Sequence, residues 1–212
     1  MNSNIEQIIM LLVLAYLLGS IPSGVWIGKI FFHIDIRRHG SGNIGTTNTY
    51  RVLGPIAGSI VMALDISKGA VATLLPTFFH ITAISPLIFG FMAILGHTFS
   101  IFDKFKGGKA VATSAGMLLA YKPAFFFLAA GIWILVILLT SMVSLASMIG
   151  FTLTTIAIFF THDILLSVMA VILTFFIFYR HRANISRIKN GTESMVPFGL
   201  GNRLRKRKDP NE

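Results

Sequence analysis

The sequence predicts an all-α, polytopic membrane protein with seven transmembrane helices, its N-terminus outside and its C-terminus cytoplasmic. Three observations predict it. Of the 212 residues, 54% are hydrophobic and 12% are charged, about half the charged share of a soluble domain. The apolar residues fall into runs of the length a bilayer requires, and the mean hydropathy is +0.77. The lysines and arginines gather between alternate runs and in the C-terminal region, as membrane orientation demands.

Each run has its own punctuation. The first, residues 8–31, is preceded by Glu6 rather than a basic stretch, so it reads as a retained span and not a cleaved leader. Gly19, Ser20, Ile21, Pro22, Ser23 and Gly24 should kink it near its end. Residues 33–52 form a polar loop. A second span covers 55–79 and carries Asp65 and Lys68 in its interior, and a third covers 86–99. The fourth, 110–121, is short for a full crossing and is tilted, half-embedded or extended by the loop before it. Lys122 and Pro123 make a turn into spans at 124–140, 145–161 and 164–179. Residues 1–200 read as one integral membrane domain, and 201–212 as a basic, flexible cytoplasmic tail whose arginines and lysines anchor it to anionic lipid.

Charge sets the orientation. Lys29, Arg37, Arg38, Arg51, Lys104, Lys106 and Lys109 fall on one side together with the basic C-terminal region, and Lys122 on the other. A count of six, with the fourth run not crossing, would put the C-terminal region on the wrong side. The net charge of +10 therefore reflects topology and not a nucleic-acid partner. There is no cysteine, which removes thiol catalysis, thiolate metal sites and disulfides from consideration.

This topology puts three polar segments on the cytoplasmic face. In the first, Gly40 to Gly45 matches GxGxxG formally, but no βαβ unit surrounds it. Ser41, Gly42, Asn43, Gly45, Thr46, Thr47 and Asn48 instead offer amides and hydroxyls to phosphoryl oxygens, with Arg51 as a bidentate clamp. In the second, Lys104, Lys106 and Lys109 surround Gly107 and Gly108, with His97 upstream. Glycines admit a ligand to the backbone and lysines supply charge. This is not a nucleotide-hydrolysing P-loop, since Asp103 and Ala110 stand where Gly and Ser or Thr are required. The segment runs into a helix whose N-terminus favours an anion.

The third segment holds His181, Asn184 and Arg187 at helical spacing. His181 either relays a proton or sits at headgroup level. Asn184 and Asn190 fit the glycosylation sequon, which a cytoplasmic segment does not use. Asp65 and Lys68, at i and i+3, either pair with each other or mark function. His33, His80 and His162 fall at span ends. No His, Asp and Glu cluster has metal-ligand spacing.

GSGNIGTTNTYRVLG, GHTFSIFDKFKGGKAVAT and HRANISRIKNGTE resemble the three signature segments of the bacterial acyl-phosphate:glycerol-3-phosphate acyltransferases. The resemblance spans nearly the whole chain, including IPSG in the first span and the Asp65 and Lys68 pair. It departs at Thr46, where Ala is usual, at Ser100, often Pro, and at Ala110, where Gly is common.

The resemblance implies transfer of a fatty acyl group from acyl phosphate to the 1-hydroxyl of glycerol 3-phosphate. The products are 1-acylglycerol 3-phosphate and inorganic phosphate, formed in phospholipid biosynthesis at the cytoplasmic face of a bacterial cell membrane. No metal, cofactor, nucleic acid or obligate protein partner is implied, beyond membrane lipids. It associates Ser41, Arg51 and Lys106 with glycerol 3-phosphate. It associates Asn43, Gly45, Thr46, Thr47, Asn48, Gly107 and Gly108 with the donor phosphate. His181 and Asn184 match a functional pair, and Glu193 matches a residue that holds that segment. Ser144 and Ser147, between spans five and six, are expected to add donors on the same face. A transporter of phosphorylated anions fits less well, because it calls for inverted repeats and cations at mid-membrane. A lipid-binding scaffold leaves the Gly, Asn and Thr pattern unexplained.

Overall fold

The computed structural model describes residues 2–208, all helix and loop, with no strand among the described residues. The chain forms two compact units, Met1–Pro123 and Ala124–Glu212.

The first unit contains α1 (Asn2–Ser20), α2 (Ser23–Phe31), α3 (Thr46–Leu53), α4 (Pro55–Phe78), α5 (Pro86–Thr98) and α6 (Val111–Tyr121). The expected kink is a break: α1 and α2 bend by 49° around Ile21 and Pro22, because proline lacks the N–H that would continue the ladder. Leu11 and Ala15 of α1, Ala72 and Leu75 of α4, and Phe89 and Ala93 of α5 make the core. Lipid is as apolar as leucine, so helices in a membrane gain mainly by close backbone approach. A β-carbon at Gly116 of α6 would lie 1.9 Å from the Ile66 carbonyl oxygen of α4, and one at Gly69 of α4 would lie 2.1 Å from that of Thr113 of α6. These reciprocal glycines bring α4 and α6 together.

The second unit contains α7 (Pro123–Thr140), α8 (Val143–Phe159), α9 (Ile164–Arg180), α10 (Arg182–Lys189) and α11 (Leu200–Lys208). Val136, Ile137 and Ala146 form its apolar centre, with Trp133 and Val196 packed against it. The α8 and α9 helices are joined by Thr155 Oγ1, which meets Thr174 Oγ1 at 2.8 Å. Between α7 and α8, Ser141 adopts φ 61. Its hydroxyl donates to the Phe198 carbonyl (2.7 Å) and accepts from the Asn202 N–H (2.9 Å). Part of the expected flexible tail is thus a helix with a fixed attachment, while 209–212 lie outside the described residues.

By length and composition, Pro55–Phe78, Pro86–Asp103 and Pro123–Thr140 suffice to cross a membrane. Two bent pairs, α1 with α2 and α9 with α10, each suffice if taken as one span. The two remaining apolar helices are shorter: α8, and α6, whose 11 residues rise only about 16 Å. All seven expected runs are therefore helical. The polar loop 33–52 differs from expectation, since it contains a 3-10 turn at Ile36–Arg38 and the helix α3. Ser144 and Ser147 lie in α8 rather than in a loop. His33, His80 and His162 share φ values of 54°, 55° and 56°. They are left-handed residues just past helix ends, a conformation histidine enters more readily than most side chains.

Replacing Gly116 by Val should cost more than about 2 kcal/mol through overpacking against Ile66. Gly131→Ala, where nothing lies within 4 Å of the new carbon, should be neutral or gain about 0.5 kcal/mol. Thermal unfolding of both variants in the same detergent checks the contrast.

Candidate active site

The expected site residues divide between the two units. In the first unit, the polar loop is organised by Asn48, which is 1% exposed. Its amide nitrogen donates to the carbonyls of Ile36 (2.9 Å), His39 (3.2 Å) and Asn43 (2.9 Å). Its oxygen accepts the Ser41 N–H at 2.8 Å. Asn48 thus shapes the loop with an amide directed to the backbone rather than to solvent. The half-buried Asn43 closes a local turn, its Oδ1 accepting the Gly45 N–H at 2.9 Å. Gly40 and Gly42 take φ 61 and 70, the left-handed conformations this tight path requires.

What the loop presents outward is a different set. Ser41, Gly42, Thr47 and Arg51 are exposed. The Arg51 stem passes Gly40, where a β-carbon would stand 3.3 Å from Arg51 Cδ. Gly45 caps α3 without a side-chain acceptor, and its carbonyl takes the Asn48 and Thr49 N–H groups at 3.1 and 3.2 Å; a helix N-terminus of this kind favours an anion. The Thr46 hydroxyl there is buried and has no hydrogen-bond partner among the described residues.

The lysine-rich segment follows an uncommon backbone path. Lys104, Phe105 and Ala110 have φ 53, 59 and 60, each costing an L-residue roughly 1–2 kcal/mol. Glycine at position 110 would avoid the last of these costs. The path is held by its neighbours. The Ser100 carbonyl accepts the N–H groups of Asp103 (3.1 Å) and Phe105 (2.7 Å), and the Asp103 carbonyl accepts that of Lys106 (2.9 Å). Ser100 Oγ donates to the Ser20 carbonyl, and Tyr16 donates its hydroxyl to the Phe99 carbonyl at 2.6 Å. Lys106 stands exposed and Lys109 half-buried.

Gly107 and Gly108 have a second reason to be glycine. A β-carbon on Gly107 would lie 2.1 Å from the His97 carbonyl oxygen, and one on Gly108 2.2 Å from His97 Nε2. The Gly108 N–H donates to the His97 carbonyl at 3.0 Å. The expectation that both serve ligand approach is thereby refined: they also permit close packing on His97, itself 5% exposed.

An ion pair that sequence reasoning missed binds these two segments. Arg37 pairs with Asp103 of the second, and with Asp35 through Nε to Oδ1 (2.8 Å) and Nη2 to Oδ2 (2.5 Å). The Arg37 guanidinium holds the Asp35 carboxyl below the ordinary carboxylate range, and the hydrogen bond to Asp35 raises Arg37 in turn. The available signal was two acids, Asp35 and Asp103, set among the cations.

In the second unit Glu193 is the centre, 4% exposed. Its Oε1 accepts from Ser144 Oγ (2.8 Å) and Asn184 Nδ2 (2.7 Å), and its Oε2 from Arg187 Nε (2.7 Å). Burial pushes its pKa up, but the hydrogen bonds from Asn184, Ser144 and Arg187 outweigh burial, and the net shift is downward. Ser144 thus serves Glu193, and the Ser147 hydroxyl donates to the Val143 carbonyl of its own helix at 2.9 Å. His181 sits at the 58° bend between α9 and α10, so it and Asn184 do not share one continuous helix face. His181 Nδ1 meets the Ile177 carbonyl at 2.8 Å. A carbonyl only accepts, so Nδ1 carries the hydrogen and Nε2 is the basic nitrogen.

Glu193→Gln should cost about 2 kcal/mol at neutral pH, the range for hydrogen bonds to a charged group. Because the folded carboxyl lies below its unfolded value, this stability is present above the unfolded pKa and lost as pH falls through the folded one. The gap in unfolding temperature between wild type and variant should therefore close in acid, which a melting series from pH 7 to 3 measures.

Comparison with known proteins identifies the family. The family model described as glycerol-3-phosphate acyltransferase matches residues 9–191. A glycerol-3-phosphate acyltransferase of Levilactobacillus brevis is 64% identical over 206 residues, covering 95% of this chain and 100% of the relative. One of Enterococcus faecalis is 59% identical, covering 97% and 100%. Among solved structures, the glycerol 3-phosphate form of PlsY (YgiH), an integral membrane glycerol 3-phosphate acyltransferase, aligns with TM-score 0.83. It has 36% identity and covers 89% of this chain and 94% of its own. Its lysophosphatidic acid form aligns with TM-score 0.80 and 35% identity over the same shares. The chain belongs to the glycerol-3-phosphate acyltransferase family, the family of PlsY.

Proposed function

We propose that this protein transfers a fatty acyl group from acyl phosphate to the 1-hydroxyl of glycerol 3-phosphate, releasing 1-acylglycerol 3-phosphate and inorganic phosphate. The observation that carries the reading is the outward set Ser41, Arg51 and Lys106, on two segments tied by the Arg37–Asp103 ion pair. A guanidinium and an ammonium beside a hydroxyl suit a phosphate monoester. Family membership supplies the acceptor, and the resemblance of the three segments supplies acyl phosphate as donor.

In this reading the acceptor's 1-hydroxyl oxygen bonds to the acyl carbonyl carbon, and the carbon–oxygen bond to phosphate breaks. The hydroxyl proton passes to the departing phosphate, so no protein base is essential. Arg51 and Lys106 hold the acceptor phosphate, while the α3 N-terminus, with Thr46 and Thr47, takes the donor phosphate. Positioning and charge stabilisation then provide the rate. Glu193 keeps Asn184 in place, and His181 offers Nε2 as an acceptor to a substrate hydroxyl. Seven spans, with the three segments at the cytoplasmic face of the cell membrane, would leave the acyl tail in the bilayer. Residues 1–200 would then act as one domain.

Purified protein given both substrates should release phosphate, and omission of either should stop it. Arg51→Ala and Lys106→Ala should each lower turnover at least about a hundredfold, with unfolding temperatures unchanged. Wild-type turnover in both variants would remove the site. The ionisation limb of the pH–rate profile should survive His181→Asn; a limb that vanishes with the imidazole would assign the proton to His181 instead.

A further inference from the structure

Asp65 and Lys68 lie one turn apart on α4, 2% and 7% exposed, and the chemistry above gives them no role. Lys68 Nζ is 2.8 Å from Asp65 Oδ1 and donates to the Ile21 carbonyl at 3.0 Å, at the α1–α2 break. The same Asp65 oxygen accepts from Ser23 Oγ at 3.1 Å, at the start of α2. His97 Nδ1 stands 3.9 Å from it, close enough to pair with the carboxylate when the imidazole is protonated. The imidazole's far edge, Nε2, is the atom against which Gly108 packs, and the His97 carbonyl holds the Gly108 N–H. One carboxylate oxygen therefore faces the helix break, α2 and the imidazole that supports Gly108.

Stability alone is a poor reason for this arrangement. Desolvating two charges costs several kcal/mol per ion, and an apolar pair of similar volume is often at least as stable. A charged pair fixes direction instead: it points specific donors at one oxygen, which a leucine pair would not do. An ionisable pair within an apolar helix calls for a functional account.

We propose that Asp65, Lys68 and His97 are positioning residues for the glycine–lysine segment. The ion pair fixes the imidazole, the imidazole supports Gly107 and Gly108, and these set where Lys106 stands for a phosphate-bearing acceptor. His97 then acts from beneath the segment and is not itself a substrate ligand. The proposal rests on the reading of Lys106 as a phosphate ligand.

The test uses the full chain in detergent or lipid nanodiscs. Asp65→Asn/Lys68→Met, changed together so that neither charge is left unpaired, should keep an unfolding temperature close to wild type. It should raise KM for glycerol 3-phosphate about tenfold, within the coupling range of contacting residues, with kcat less affected. Gly108→Ala should also raise KM, and His97→Ala in that background should recover at least about threefold by removing the ring the new methyl meets. Binding of inorganic phosphate, followed by calorimetry on the same variants, should weaken and recover in parallel. That readout does not need acyl transfer, so a wild type that binds phosphate without turnover would fault the reaction and leave the relay measurable. Wild-type KM and phosphate affinity in the charge-free pair would overturn the proposal. So would a Gly108→Ala defect indifferent to His97, or a charge-free pair that simply unfolds.

Discussion

Arg37 joins two acids, Asp35 within its own loop and Asp103 in the lysine-rich segment, and the first unit depends on that junction. The lysine-rich segment contains three non-glycine residues in left-handed conformations, so its backbone does not hold its shape unaided. Asp103 is 6% exposed. A buried carboxylate among lysines must be paired or pay a large desolvation cost. Pairing it with Arg37 satisfies the charge and ties the strained segment to the first loop. Ser100 and Tyr16 complete the attachment to α1 through backbone carbonyls.

The second unit solves a similar problem with one carboxylate. Glu193 lies beyond α10 yet receives Ser144 from α8 and Asn184 and Arg187 from α10. Three donors on a buried acid make a rigid node, because loss of any one leaves charge poorly satisfied in a low-dielectric setting. The node fixes the turn that presents Asn184, while the bend at His181 sets the imidazole by its Nδ1 contact to Ile177. Both units thus secure their polar segments with buried acids, Asp103 in the first and Glu193 in the second.

Much of this was legible in sequence because it follows from local pattern. Apolar runs gave the helices, Pro22 the break, and the i, i+3 spacing the Asp65 and Lys68 pair. Glu193's holding role came from the resemblance, and its three donors agree with it. Roles fixed by residues far apart in the chain were not legible. Asn48 looked like a phosphate ligand because asparagine in a Gly- and Thr-rich loop offers the right groups, and its amide instead reaches carbonyls back to Ile36. Ser144 looked like a substrate donor, and its partner is 49 residues away. Gly107 and Gly108 read as ligand-facing because nothing in their neighbourhood announces that His97 packs against them. The helix α3 was hidden by eight residues of weak apolar character between glycines.

Ser141 joins the α7–α8 corner to residues made 57 and 61 positions later. During synthesis that corner is therefore made before the groups that will occupy its hydroxyl exist. Maturation of the second unit thus has a built-in order: α7 and α8 are made first, and the attachment of the C-terminal helix to Ser141 is completed only after Asn202 has emerged from the ribosome.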